Sequence, residues 1–437
     1  MATPLVDVVT IGTELTRGEI VDTNAAWLGT ELHRRGFAVG VHTTVADDRA
    51  AMRRALAESA ARAVAVLVSG GLGPTMDDFT AEVAAEVCGV PLARDDEALT
   101  RLTARLTGFG LAVTPNNAKQ ADVPAGARVL QNEAGTAPGF VTPAAQGRAP
   151  MYFMPGVPRE LQRMFERQVA PDLEARFPER DAVAERRLRV FGTGESTVDF
   201  MLKKQIEAFV GAQPGPASGD AAAEVAFRAS WPEILVTFRA RAASPEAARA
   251  KVDRIAEEAR GVLGPHVYGE GDAGLAEVVG AELRARALRV AVAESCTGGE
   301  LGAMLTAAAG ASDYFAGGVI AYADQVKTGV LGVPEDVLRA HGAVSEPVVR
   351  AMAERVADLF GVSAGIAISG VAGPGGGTPD KPVGTVHWAV ALRLPGEAPA
   401  TLHGTRRMRG DRGMIRRISA FAALRLLLGR LRGETVA

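Results

Sequence analysis

The sequence predicts an α/β protein in three parts, and three observations carry that prediction. At both ends of the chain, short apolar runs end in glycine-bearing turns and lead into amphipathic helical patterns. A middle stretch breaks that alternation. The length, 437 residues, exceeds what one ordinary core organises.

The first part alternates strand and helix. LVDVVTIG (5–12) has the continuous apolar character of a buried strand, and a helix follows from about Thr23 with Trp27, Leu28 and Leu32 on one face. AVAVLVSGG (63–71) is a second strand ending in a glycine turn. FTAEVAAEVCG (79–89) follows as a helix with Phe79, Val83 and Val87 spaced by four. MYFMPGVPREL (151–161) is a third strand, turn and helix start. Such alternation predicts a parallel sheet with ligands at the strand C-terminal ends.

Residues from about 170 to 265 read as a small α+β module. GAQPGPASGDAAAE (211–224) is a flexible loop by composition, EILVTFRARA (233–242) a strand, and 244–264 an amphipathic helix with Pro245 in its first turn. The last part begins near Gly271, with a helix over 274–286. The strand RVAVAES precedes a helix from about Gly299. GGVIAYA (317–323) is the next strand, followed by a helix carrying Gln325, Lys327 and Val330. AGIAISG (364–370), the loop VAGPGGGTPDKPVG, the strand TVHWAVAL (385–392) and a final helix (410–431) complete it. No internal repeat is present.

Composition narrows the function classes. Hydrophobic residues make up 47% and charged residues 23%, the balance of a soluble globular chain. A net charge of −3 gives no broad basic footprint, so nucleic acid is not an expected partner. No apolar run reaches the roughly 18 residues of a membrane span, and no basic leader precedes the first apolar stretch. The two cysteines, Cys88 and Cys296, are too few for a disulfide framework and point to the cytosol. Only six of the 48 basic residues are lysine: 119, 203, 204, 251, 327 and 381. Arginine does not give up its proton, so a retained lysine marks a place where an amine has a use.

AVAESCTGGEL (291–301) places Ser295 where a strand gives way to a helix. Amides at a helix N-terminus can hold an oxyanion or a phosphate. Serine needs a base. His341 in HGAVSE is one candidate, and Lys327, five residues after Tyr322, is the better one. A lysine amine taken out of water sheds its proton more readily and can then accept one from serine. With Tyr322 as relay, the set would perform acyl transfer. The plain alternative is that Ser295 and Thr297 cap a helix, Tyr322 packs, and Lys327 is a solvated charge. SGVAGPGGG (369–377) follows a strand and suits backbone convergence on a phosphate, or is a tight turn. Arg406, Arg407, Arg409 and Arg412 could bind phosphate or form a solvated basic face.

Near the N-terminus, SGGLGPTMDDFT (69–80) sets Gly71, Gly73, Thr75, Asp77 and Asp78 at a helix start. Thr75 would cap, and the acids would face the positive helix end. Alternatively Glu14 and Asn24, from the turn after the first strand, join Asp77 and Asp78. Acids from two neighbouring turns could then share a divalent ion that activates water against a pyrophosphate.

AESCTGGELGAMLT, GGVIAYADQVKTGVLGV, HGAVSE, ISGVAGPGGGTPDKPVGTV and GDRGMIRR occur in the order seen in the nicotinamide mononucleotide (NMN) amidase domain of the CinA (competence/damage-inducible) proteins, which this chain resembles. TIGTELTRGEIVDTN, SGGLGPTMDDFT, PNNAKQADVPAGA, NEAGTAPGF and MPGVPREL are similar to the same family's N-terminal part. FGTGESTVDFML (191–202) fits its middle part.

The resemblance implies three domains. Residues 1–170 would be a three-layer α/β, molybdopterin-binding-like domain of the MoaB and MogA type. Residues 171–265 would be a small α+β KH-like domain, and 271–437 the α/β amidase domain. It implies hydrolysis of the NMN amide to nicotinate mononucleotide and ammonia, with Ser295 as nucleophile, Lys327 and Tyr322 assisting, and Cys296 a bystander. Thr297, Gly298, Gly373, Gly375, Gly376 and Arg412 would bind substrate.

It implies ADP-ribose cleavage to AMP and ribose 5-phosphate at the other end. There Glu14, Asp77 and Asp78 would hold a Mg-, Mn- or Co-class ion, with a monovalent cation such as K as a further candidate. Gly71, Gly73, Thr75 and Asn24 would bind phosphate. The amidase domain would need no cofactor. Many related N-terminal domains instead bind a pterin phosphate. Thr16–Arg17 departs from the family's aliphatic pair after Glu14. No basic GxxG loop supports RNA binding by the middle module. A homodimer is expected. The rival readings are a molybdopterin- or nucleotide-binding module and a competence-related interaction protein, both without turnover.

Overall fold

The computed structural model describes residues 3–144, 147–211 and 223–434. Most of the glycine- and proline-rich loop of 211–224 lies outside the described residues. The described chain forms two compact bodies. One holds residues 3–185 and 239–251, the other residues 186–211, 224–238 and 252–434.

The first body is organised by strands β1 (Leu5–Ile11), β2 (Ala38–Val45), β3 (Ala65–Ser69), β4 (Leu92–Arg94), β5 (Asp122–Pro124), β6 (Arg128–Leu130), β7 (Gly139–Val141) and β8 (Met151–Met154). Six of them form one sheet in the order β2-β1-β3-β8-β7-β6, and β4 pairs with β5 separately. The run β2-β1-β3-β8 is parallel, with Val9 opposite Val68 and Val68 opposite Phe153. β7 and β6 continue antiparallel, so the sheet is mixed rather than wholly parallel. Helices cover both faces. Leu28 and Leu32 of the helix Thr23–Arg34 pack with Val6, Val8 and Phe165, while Met52 and Leu56 pack with Val9 and Val66 on the other face. Strands buried on both faces read as unbroken apolar runs.

A four-stranded sheet follows in the order β10-β11-β9-β12, from β9 (Ala182–Val190), β10 (Ala223–Ser230), β11 (Glu233–Ala242) and β12 (Val267–Glu270). Val198 and Leu202 of the helix Glu195–Val210, and Ile255 and Ala259 of the helix Pro245–Leu263, cover Leu188, Val236 and Phe238.

The second body's main sheet is ordered β14-β13-β15-β16-β17, from β13 (Val290–Glu294), β14 (Phe315–Ile320), β15 (Ala364–Gly370), β16 (Thr385–Leu392) and β17 (Ala400–Arg407). β13 is parallel to β14 and β15, and β16 and β17 run antiparallel. One face packs on the C-terminal helix Arg412–Arg432 and the helix Leu275–Ala285, the other on Glu346–Phe360. The C-terminal helix also holds the joint before this domain. Arg425, 3% exposed, donates to the Pro265 carbonyl and pairs with Glu434, and Arg432 donates to the Tyr268 carbonyl at 2.9 Å. Among the described residues no helix is long and apolar enough to cross a membrane.

Candidate functional site

The three parallel strands of the second body end side by side, and the loops leaving them carry the predicted residues. Ser295 directly follows β13, and its amide donates to the Ile368 carbonyl of β15 at 2.9 Å. It is 9% exposed. The sequence placed it at a helix N-terminus, but the helix starts at Glu300 with Gly299 as its cap residue. Residues 295–299 form a tight turn in which the Gly298 amide donates to the Ser295 carbonyl at 3.1 Å. Gly298 (φ 57°) and Gly299 (φ 99°) occupy the left-handed region that a side chain resists. The turn therefore lets the chain reverse before the helix can begin.

The helix-start amides are already engaged. Gly299, Leu301 and Gly302 donate to the Glu294 carboxylate at 3.0, 3.1 and 2.8 Å. Ser295 and Thr297 are not the caps that the plain reading expected. Thr297 is fully enclosed, its hydroxyl has no partner, and its carbonyl accepts Arg416 Nε at 2.8 Å. Burial pushes the Cys296 thiol up to about 12, so it stays a thiol at neutral pH.

Lys327 is 1% exposed on the helix Asp324–Gly329, so it is not a solvated surface charge. Its Nζ donates to Asp324 Oδ1 at 3.1 Å and to the Tyr322 carbonyl at 3.2 Å. The Tyr322 ring is largely exposed, and its hydroxyl accepts Arg412 Nη2 at 2.9 Å. Among the described residues no hydrogen bond joins Ser295, Tyr322 and Lys327 side chains to one another. His341 ends the helix Glu335–His341, and its carbonyl accepts Lys381 Nζ at 2.8 Å.

Arg412 also donates through Nη1 to the Gly373 carbonyl at 2.6 Å. Its guanidinium thus ties the glycine loop to Tyr322, while Arg416 holds the serine turn. Arg406, Arg407 and Arg409 are exposed around the end of β17. Gly373 has φ 79°, and a side chain there would strike Val383 at 2.7 Å. Gly375 faces open space, and Gly376 is left-handed at φ 82°.

In the first body, the loop after β3 is wrapped closely. Gly71 (φ 67°) lies so near Thr80 that a methyl added to it would stand 2.0 Å from Oγ1. The helix begins at Thr80, so Thr75, Asp77 and Asp78 sit in the turn before it rather than in its first turn. The Thr75 amide donates to Asp78 Oδ2 at 2.9 Å, and its hydroxyl lies against both carboxylates. That hydroxyl holds the Asp77 carboxyl below its ordinary value. Asp78 also fills the space a side chain on Gly73 would need. Lys119 Nζ braces the turn through the carbonyls of Thr75 and Asp78. Asn24 Nδ2 donates to Ser69 Oγ at 3.0 Å and to the Gly156 carbonyl at 2.7 Å, joining the start of the helix Thr23–Arg34 to the end of β3 and the loop after β8. Its Oδ1 is buried without a partner. Arg17 is exposed, 3.9 Å from Glu19.

A divalent ion needs several oxygens around one point. Asp77 and Asp78 turn onto Thr75, and Glu14 folds over Gly12. Among the described residues no three His, Cys, Asp or Glu side chains converge. Asp77 and Asp78 meet at the Thr75 hydroxyl as a pair.

Sequence reasoning alone misses Glu294, Asp324, Arg416 and Lys119. Lys119 carries a signal, as one of six lysines. Glu294 carries a weaker one, an acid ending an apolar strand.

Fold and site define a mixed α/β protein, and comparison with known proteins gives three successive stretches of it a family. The CinA C-terminal domain model matches residues 272–431, the Damage-inducible protein CinA KH domain matches 185–269, and the molybdopterin-binding model, described as "Probable molybdopterin binding domain", matches 7–175. A CinA-like protein of Anaeromyxobacter sp. (strain K) is 45% identical over 97% of this chain and 98% of its own length. A CinA-like protein of Akkermansia muciniphila is 41% identical over 99% and 98%. The chain belongs to the CinA-like family. The solved structure of CinA from Thermoplasma acidophilum is 34% identical over 39% of this chain and 98% of that one, with a TM-score of 0.36.

Proposed function

We propose that the second body hydrolyses the amide of NMN, with Ser295 as nucleophile. The observation that carries this reading is the enclosed amine of Lys327, in a chain with only six lysines among its 48 basic residues, on the loop-helix unit next to the Ser295 turn. Ser295 Oγ bonds to the amide carbon while its proton passes to Lys327 Nζ. Asp324, 3.1 Å away, orients that amine and balances its charge once protonated. Lys327 then delivers the proton to the departing nitrogen, the C–N bond breaks and ammonia leaves. Water cleaves the acyl-enzyme to give nicotinate mononucleotide and restores Ser295. Tyr322, exposed and held by Arg412, serves as an orienting hydroxyl.

The test is ammonia and nicotinate mononucleotide release from NMN by wild type and Ser295→Ala. Turnover lost only in the variant is expected, and equal turnover in both would sink the assignment.

For the first body the reading is an ADP-ribose site. A glycine turn braced by Lys119 favours phosphate binding there. Calorimetric titration with ADP-ribose tests binding. Release of AMP and ribose 5-phosphate on adding Mg, Mn or Co salts, with and without K, tests cleavage. Light scattering tests the homodimer, and salt-dependent DNA binding would revive the interaction-protein reading.

A further inference from the structure

Glu294 ends β13, next to Ser295, and is 1% exposed. Burying a carboxylate is costly unless donors surround it. This one accepts three N–H groups, from residues five, seven and eight positions downstream. One side chain thereby folds the whole 295–299 turn back onto the strand end. Charge-assisted bonds to backbone amides are among the stronger hydrogen bonds in proteins.

The same bonds redistribute the donors around Ser295. The amides that a helix start would offer an anion are occupied from inside. Among the described residues, the Thr297 amide donates to no protein acceptor, and the Cys296 amide meets its own sulfur rather than an acceptor elsewhere in the chain. In strand–turn–helix hydrolases the amide after the nucleophile is a regular oxyanion donor.

We propose that Glu294 is a positioning residue of this site: by holding the amides of Gly299, Leu301 and Gly302 it fixes the turn that presents Ser295 and leaves the Cys296 and Thr297 amides to the oxyanion. The proposal rests on the nucleophile reading of Ser295 given above. Glu294 touches neither substrate nor reacting atoms and acts only through the turn.

The test compares full-length wild type, Ser295→Ala, Glu294→Gln and Glu294→Asp. One readout is the rate at which a fluorophosphonate labels Ser295, which needs nucleophile and oxyanion donors but not NMN. The other is kcat and KM for NMN. Glu294→Gln turns an NH₂ towards an amide that needs an acceptor. Labelling rate and kcat are expected to fall by about tenfold to a hundredfold, the scale of a small misplacement of a reacting group. KM should stay within about twofold, because ground-state binding is untouched. Glu294→Asp keeps a carboxylate and should recover part of the labelling. Unchanged rates in folded Glu294→Gln overturn the proposal and leave Ser295 its role, as does a raised KM at constant kcat. Labelling without NMN turnover removes the substrate reading, and the labelling rates then decide on Glu294. Wild type that neither labels nor turns over overturns both. If Glu294→Gln fails to fold, Glu294→Asp decides by the same readouts.

Discussion

Lys327→Met separates a functional amine from a packing element. Methionine is unbranched like lysine, one atom shorter, and needs no hydrogen-bond partner. The substitution forfeits the bonds to Asp324 (3.1 Å) and the Tyr322 carbonyl (3.2 Å). Bonds to a charged group contribute about 1.5–3 kcal/mol each. It also removes an enclosed ammonium whose desolvation costs several kcal/mol, roughly the same size. Asp324 keeps a side chain 61% exposed, so water replaces its lost partner cheaply. The terms oppose one another, and stability should change by no more than about 2 kcal/mol in either direction. NMN hydrolysis should fall roughly 10²- to 10⁴-fold, the share of a positioned proton carrier. Urea unfolding and ammonia release on the same preparations give both numbers. A folded Lys327→Met enzyme within about tenfold of wild type would refute the reasoning, since no base of that kind would be in use. Loss of activity that merely tracks loss of fold would refute it equally.

Lys327→Arg should be inactive too, because it keeps the charge but cannot accept a proton; normal ammonia release would send the search for a base to His341. Arg412→Lys should cut NMN turnover by about tenfold, because an ammonium cannot span Tyr322 and Gly373 as the planar fork does, and a kinetic comparison checks it. Gly365→Ala should destabilise by about 1–3 kcal/mol or more, since the new methyl would meet the Ala353 carbonyl 2.0 Å away; a urea midpoint at or above wild type would contradict that packing. Burial holds His387 and His403, 3.0 Å apart, below the ordinary 6.5, with His403's charge also lowering His387. The unfolded chain binds these protons first as pH falls, so their contribution is full above about pH 6.5 and is lost below it through the lowered folded values. His387→Gln should flatten the fall in melting temperature between about pH 7.5 and 5, and an unchanged slope would assign the acid loss elsewhere.

Strands buried on both faces were legible because short, nearly unbroken apolar runs such as LVDVV and GIAIS suit a strand covered on both sides. β2 was not. AVGVHTTV is half-exposed along its length and carries His42, Thr43 and Thr44, so its apolar signal is broken. β6 and β7 are three residues each, too short for any period to show. The antiparallel turn of β16 depends on the path of the 371–384 loop, which no local pattern encodes. At the site, residue type was readable and partnership was not. Ser295, Tyr322 and Lys327 stood out by chemistry and spacing, but the engagement of Arg412 with Tyr322 spans 90 positions of sequence. Asp77 and Asp78 were readable as acids in a glycine turn, but their closing on the Thr75 hydroxyl was not.

The C-terminal helix places Arg412 and Arg416 one turn apart, and through them it grips three loops that are far apart in sequence. Those loops consequently share a single template, and their positions are not independent variables. A residue inserted into the helix between the two arginines would rotate one grip about 100° from the other. A loop exchanged with a relative's would keep its place only by offering a carbonyl or hydroxyl where Thr297, Tyr322 or Gly373 now offers one. Sequence drift in these loops is thereby confined to the positions between the grips, and any redesign of the site has to begin from the helix.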